Sequence, residues 1–199
     1  MLNLRKIAIT GGIASGKSSV CQFFKELGAF VVSADAIVHE LLAPNTDLGK
    51  QVIHSLGIKV PSDGRLFRKV IAEKVFFKDP NLLEKLEKIL HPEVLKKIEE
   101  LYRQASEKGT YTHFVVEIPL LFEIRNEKFY DVVITVLADE KVARQRFKEP
   151  EHEYGERMKR QMDPAKKASL SDYVIHNNGS LEELKKQVML INQTLQKNN

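Results

Sequence analysis

Gly11-Gly12-Ile13-Ala14-Ser15-Gly16-Lys17-Ser18 is the stretch on which the reading of this chain turns. It matches the pattern G-x-x-x-x-G-K-[ST]. Its glycines let the backbone turn so that successive N–H groups point inward and form a concave anion site. Lys17 supplies a point charge for the outer phosphates of a nucleotide, and the Ser18 hydroxyl suits Mg²⁺. An apolar run, Ile7-Ala8-Ile9, stands immediately before the motif. After it, Val20, Phe23, Phe24 and Leu27 recur at helical spacing, with Gly28 as a terminator. A strand, a glycine turn and a helix in that order also aim the positive end of the helix dipole at the bound anion. A fortuitous glycine-rich turn would not need both flanks.

Outward from this loop, short apolar runs rich in β-branched residues predict five buried parallel strands. They are Lys6–Thr10, Phe30–Ser33, Phe114–Ile118, Asp131–Leu137 and Tyr173–His176. Helical spacing between them predicts an α/β protein of the P-loop NTPase type, a five-stranded parallel sheet with helices on both faces. Residues 36–110 hold too much chain for one crossover, so they read as an inserted helical subdomain. Pro44, Pro61, Pro80 and Pro92 would cut that insertion into several short helices. Residues 140–167 carry nine Lys or Arg and six Asp or Glu, the pattern of a solvated helical pair or of a basic lid.

Bulk properties agree with one such domain. The chain has 199 residues, 43% of them hydrophobic and 29% charged, enough for a sizeable core. A formal charge of +4 favours anionic partners, and a phosphate-rich small molecule accounts for so small an excess as well as nucleic acid does. A single cysteine, Cys21, excludes an intrachain disulfide and points to a reducing compartment. No apolar run approaches the roughly 20 residues that span a bilayer, and the amino terminus reads as a first strand. The expectation is a cytoplasmic monomer with neither nucleic acid nor membrane as partner.

A phosphate loop alone leaves the chemistry open. The base-reading Asn-Lys-x-Asp of GTPases and the Leu-Ser-Gly-Gly-Gln of transporter ATPases are absent from the sequence. A small-molecule kinase remains, and it needs a group to orient or deprotonate the acceptor hydroxyl. Asp35 stands two residues beyond the second strand, where open α/β sheets bind ligands. As a bare sequence feature it fits a catalytic base and a dipole-stabilising helix residue equally.

The longer motifs resemble the dephospho-CoA kinase family. Ile9–Ser18 looks like that family's opening, and Ser33-Ala34-Asp35-Ala36-Ile37-Val38-His39 is similar to its Asp-Ala-Asp-x-Ile-x-His stretch. Gly64–Arg68, Leu86–Pro92, Glu117–Glu123 and Asp172–Gly179 resemble its remaining motifs, in order and over nearly the whole chain. The resemblance implies transfer of the γ-phosphate of ATP, with Mg²⁺, to the 3′-hydroxyl of dephospho-CoA, the last step of CoA synthesis. A nucleoside-monophosphate kinase of similar layout is the alternative. It also implies roles: Lys17 and Asp35 in catalysis, with Asp35 as base, and Ser18 on the metal. Nucleotide contacts would come from Gly11, Gly12, Ile13, Ala14, Ser15, Gly16, Lys17, Ser18 and Ser19, with Asn177 and Asn178 by the adenine. Asp35, His39, Arg68, His91 and Leu120 would face the substrate, and 140–167 would be the lid.

Three positions depart from the family pattern. Ser33 replaces the first Asp of the triplet, Lys148 takes a lid position usually filled by Arg, and Ala14 replaces a frequent glycine. At Ala14 a methyl is expected to be tolerable only with negative φ. Among other candidates, Cys21 reads as a packed residue, and Phe76, Phe77 and Phe122 as core. Glu117 fits a metal-water contact or a loop anchor equally, and His91 a helix cap or a substrate contact. The lid cations Arg144, Lys148 and Arg157 are equivalent candidates for phosphate.

Overall fold

The computed structural model describes residues 4–57, 71, 80–148 and 151–197. Five parallel strands form one sheet: β1 (Lys6–Gly11), β2 (Phe30–Ser33), β3 (Phe114–Glu117), β4 (Val132–Leu137) and β5 (Tyr173–His176), in the order β2-β3-β1-β4-β5. All five expected strands are present, with ends within a residue of those expected. Strand β1 lies centrally, with Ile9 beside Glu117 and Gly11 beside Val136. Buried on both faces, such strands must be apolar throughout, and that is why they read as unbroken β-branched runs.

Two compact units divide the chain, residues 1–33 with 104–199 and residues 34–103. In the first, α1 (Lys17–Glu26) and α8 (Leu181–Lys197) pack on one sheet face. Their Val20, Phe24, Leu184, Val188 and Leu195 meet Ile7, Ile9, Ile134, Val136 and Ile175. Helix α1 ends as expected: Gly28 takes φ 89°, and the N–H groups of Gly28 and Ala29 return to the carbonyls of Lys25 and Phe24. Alternation sends Thr10 and Thr135 to the opposite face, where Thr135 Oγ1 lies 2.6 Å from Ser171 Oγ, just past α7 (Pro164–Ser169). At the β5 edge, Gln187 accepts from the His176 N–H and donates to its carbonyl, closing backbone groups that another strand could seize.

The second unit contains α2 (Ala34–Leu41), α3 (Asp47–Leu56) and most of α4 (Pro80–Lys108). Its own core joins Leu42, Val52, Leu56, Ile71, Leu86 and Leu90. Pro44 falls between α2 and α3 and Pro80 opens α4, as the sequence suggests, but Pro92 lies inside a continuous helix and breaks nothing. A proline removes one helical hydrogen bond, and burial of Leu86, Leu90 and Ile98 on either side of it offsets that loss. Capping by His91 is excluded for the same reason. Pro61, Phe76, Phe77 and the Gly64–Arg68 motif, including Arg68, lie outside the described residues.

Candidate active site

The quoted loop joins the end of β1 to α1 at the carboxyl end of the sheet. Gly11 has φ 143°, and a side chain there would run into the Val136 carbonyl. Gly16 has φ 97° and faces the Asn177 carboxamide just as closely. Ala14 corrects an expectation, because it adopts φ 52°. A methyl in left-handed backbone costs about 1–2 kcal/mol, so the loop keeps its turn against the preference of the residue that replaced glycine.

Lys17 is nearly buried, at 9% exposure, and its ammonium donates to the carbonyls of Gly11 (3.2 Å) and Gly12 (2.8 Å). Next to it, the exposed Ser18 hydroxyl donates to Glu117 Oε1 at 3.0 Å. Glu117 therefore meets the residue expected to hold metal, and it does so as the register partner of Ser33 on β2. The carboxylate missing from Ser33 is thus present one strand away. Cys21 is buried, and burial first, then the Glu117 charge, push its thiol well above the ordinary range against the opposing pull of Lys17. It is a packed residue, as read from its position.

Asn177 and Asn178 do something the sequence did not suggest. Asn177, 5% exposed, donates from Nδ2 to the Ser15 carbonyl at 2.8 Å and accepts from Arg146 Nη1 through its own carbonyl. Asn178 exchanges two hydrogen bonds with Asp139, the residue that precedes α5 (Glu140–Arg146). The loop after β5 therefore ties the phosphate loop to the start and end of α5. Beyond it comes α6 (Glu151–Met158), so the expected helical pair over 140–167 is three short helices, counting α7.

Arg144 pairs with Glu140 and lies 4.6 Å over the Tyr154 ring. Arg157 pairs with Glu153 and lies 5.6 Å over Phe147, which meets Tyr154 edge-on. Lys148 is exposed. Burial, then the Glu140 charge, raise the Tyr154 phenol, with Arg144 opposing. Tyr154 and Met158 look across a cavity of about 190 Å³ at Gly12, Ile13 and Ser15. A larger depression, about 600 Å³, is open to solvent at the amino ends of β4 and β5, far from the loop in the strand direction.

Leu120, 38% exposed, follows β3 on a turn with the buried Leu121 and Phe122. In the helical unit, α2 carries Asp35 in its first turn and His39 in its last, both exposed and four residues apart on one face. His91 is half-buried in α4.

Comparison with known proteins agrees with this loop and sheet. The family profile for dephospho-CoA kinase matches residues 5–183. The chain belongs to the dephospho-CoA kinase family. A dephospho-CoA kinase of Protochlamydia amoebophila is 45% identical, over 98% of each chain. A solved structure from Thermus thermophilus superposes with a TM-score of 0.81 at 29% identity, covering 97% of this chain and 98% of that one. The dephospho-CoA kinase of Campylobacter jejuni gives 0.65 at 25% identity, with the same coverage. As a member of that family the chain is a P-loop kinase, and among its described residues no helix is long and apolar enough to cross a membrane.

Proposed function

We propose that this kinase transfers the γ-phosphoryl group of ATP to the 3′-hydroxyl of dephospho-CoA, yielding CoA and ADP, and that it does so chiefly by positioning and charge stabilisation. Phosphoryl transfer leaves little covalent work to the protein. The observation that carries the assignment of roles is the loop itself, with the Lys17 ammonium and the Ser18–Glu117 pair at the carboxyl end of β1 and β3.

Lys17 now rests on loop carbonyls, and those bonds exchange for phosphate oxygens when nucleotide enters. The Ser18 hydroxyl and Glu117 carboxylate are hard oxygen donors of the kind Mg²⁺ accepts, and Mg²⁺ needs few protein ligands where phosphates supply others. Held by Ser18 and Glu117, Mg²⁺ would supply positive charge against the negative charge that develops in the transfer. Asp35 takes the proton of the acceptor hydroxyl, and His39, Arg68, His91 and Leu120 are the substrate-side residues.

Residues 140–167 act as a lid. Its cations, Arg144 over the Tyr154 ring, Arg157 over the Phe147 ring and the exposed Lys148, turn towards the triphosphate, and closure excludes water. Asn177 supports nucleotide binding by holding the loop backbone through Ser15, and Asn178 by fixing the start of α5. The protein works as a cytoplasmic monomer.

Incubation of purified protein with Mg·ATP and dephospho-CoA, followed by mass measurement, should show CoA. Strong phosphorylation of AMP or CMP with indifference to dephospho-CoA would instead identify a nucleoside-monophosphate kinase.

A further inference from the structure

Lys167 has no exposed surface at all, although it follows Lys166 in a run that reads as solvated. Its ammonium donates to the Pro119 carbonyl at 2.6 Å and pairs with Glu123 Oε1 at 2.9 Å. Glu123 Oε1 also accepts the backbone N–H of Met162 at 2.7 Å. Met162, just before α7, and Lys167, within it, are thus fastened to one turn, residues 119–123. The Pro119 carbonyl accepts a second bond, from Thr10 Oγ1 at 3.2 Å, one residue before the phosphate loop. Past α7, Ser171 donates to the Lys167 carbonyl and meets Thr135 on β4.

Stability alone is a poor reason for this arrangement, since a buried ion pair is commonly matched or bettered by apolar side chains of the same volume. What it gives is a fixed distance. The fastened turn leaves β3 two residues after Glu117, which meets Ser18, and it carries Leu120. The same clamp holds Pro164 against Gly12, where a methyl on the glycine would touch the proline ring at 3.5 Å. In and just after α6, Arg157 pairs with Glu153 and Lys159 with Glu156.

We propose that Lys167 is a positioning residue for phosphoryl transfer. Through Glu123 and Pro119 it makes α7 a fixed base, so that lid movement is confined to residues before Met162 and the turn beside Glu117 and Leu120 keeps its place. The inference rests on the phosphotransfer reading above.

Lys167→Met alone would strand the Glu123 charge, so the informative variant is Lys167→Met with Glu123→Gln, which keeps an acceptor for Met162. Turnover is measured on whichever acceptor the wild-type enzyme phosphorylates. A wild type inert towards dephospho-CoA therefore sinks the acceptor assignment and leaves this comparison readable. The double variant should melt within a few degrees of wild type and keep KM for ATP within about threefold, while kcat falls about 10- to 100-fold. A folded double variant with kcat within about threefold of wild type overturns the proposal. Should the variant not fold, hydrogen exchange of wild type decides. The Met162 amide should be protected without ligand and unchanged by nucleotide, whereas amides of α6 gain protection; a Met162 amide that exchanges or responds like those of α6 overturns it.

Discussion

The two ends of the sheet are built from the same strands and treated in opposite ways. At the carboxyl end, three residues within one loop, Gly11, Ala14 and Gly16, hold positive φ, and the Ser18–Glu117 hydroxyl and carboxylate face solvent. At the amino end, side chains close the backbone. Asp131 accepts from the Lys6 N–H at 2.7 Å, Asp172 from the Val133 N–H at 2.8 Å, and Arg5 donates to the Leu195 carbonyl. Left-handed backbone and exposed polar side chains lie where an anion is to be gripped, and backbone closed by side chains where only cohesion is required. A change at the first end should therefore act on rate with little effect on melting, and a change at the second on melting with little effect on rate.

The largest effect should come from Asp35, which follows β2 at the carboxyl end. Asp35→Asn is expected to lower kcat about 10²- to 10⁴-fold with nucleotide affinity nearly intact; turnover like that of wild type would remove this residue from the mechanism. Lys17→Ala should raise the barrier by about 3–4 kcal/mol, read as kcat with saturating Mg·ATP, while the melting temperature stays close to wild type. A protein that loses its fold instead would place Lys17 among the structural residues.

At the amino end, Asp172→Ala orphans the Val133 N–H and should cost about 1–3 kcal/mol of stability, measured by urea unfolding, with kcat/KM unchanged. His113 gives a pH signature to the same end. It is fully buried, and burial first, then the Arg5 charge, hold its imidazole below the ordinary range, with Asn192 opposing. The folded protein therefore resists the proton that the unfolded chain takes up, and stability present above the usual histidine value of about 6.5 should be lost as pH falls through it. Unfolding followed from pH 8 to pH 5 should show this loss, and His113→Leu should flatten it; an equal slope in the variant would acquit His113. The smallest effect is expected of Ala14→Gly. Relief of positive φ and the added freedom of the unfolded chain nearly cancel, so stability should rise by no more than about 1 kcal/mol, and a clear loss would contradict the strain assigned to that loop.

How much was legible differs between these ends too. The phosphate loop and all five strands could be read because local rules govern them: glycine where φ is positive, β-branched runs where both faces are covered. Gly28 announced the end of α1 for the same reason. Pro92 misled, since its local preference was outweighed by Leu86, Leu90 and Ile98, buried on either side of it within α4. Lys167 was not legible, because a lysine bound for solvent and a lysine bound for a half-buried carboxylate have the same sequence neighbours.

By itself, the order of residues determined the class of fold, the phosphate site and, through its longer motifs, the family. These rest on backbone conformation and hydrophobic periodicity, which act over a few residues. Only the folded chain decided that Glu117 meets Ser18, that Asn177 braces Ser15, and that Lys167 joins Glu123 and Pro119. Those pairs lie 99, 162 and, for Lys167 with Pro119, 48 residues apart. Such contacts exist because parallel strands bring distant segments to one edge, and no local pattern encodes which side chains will meet there.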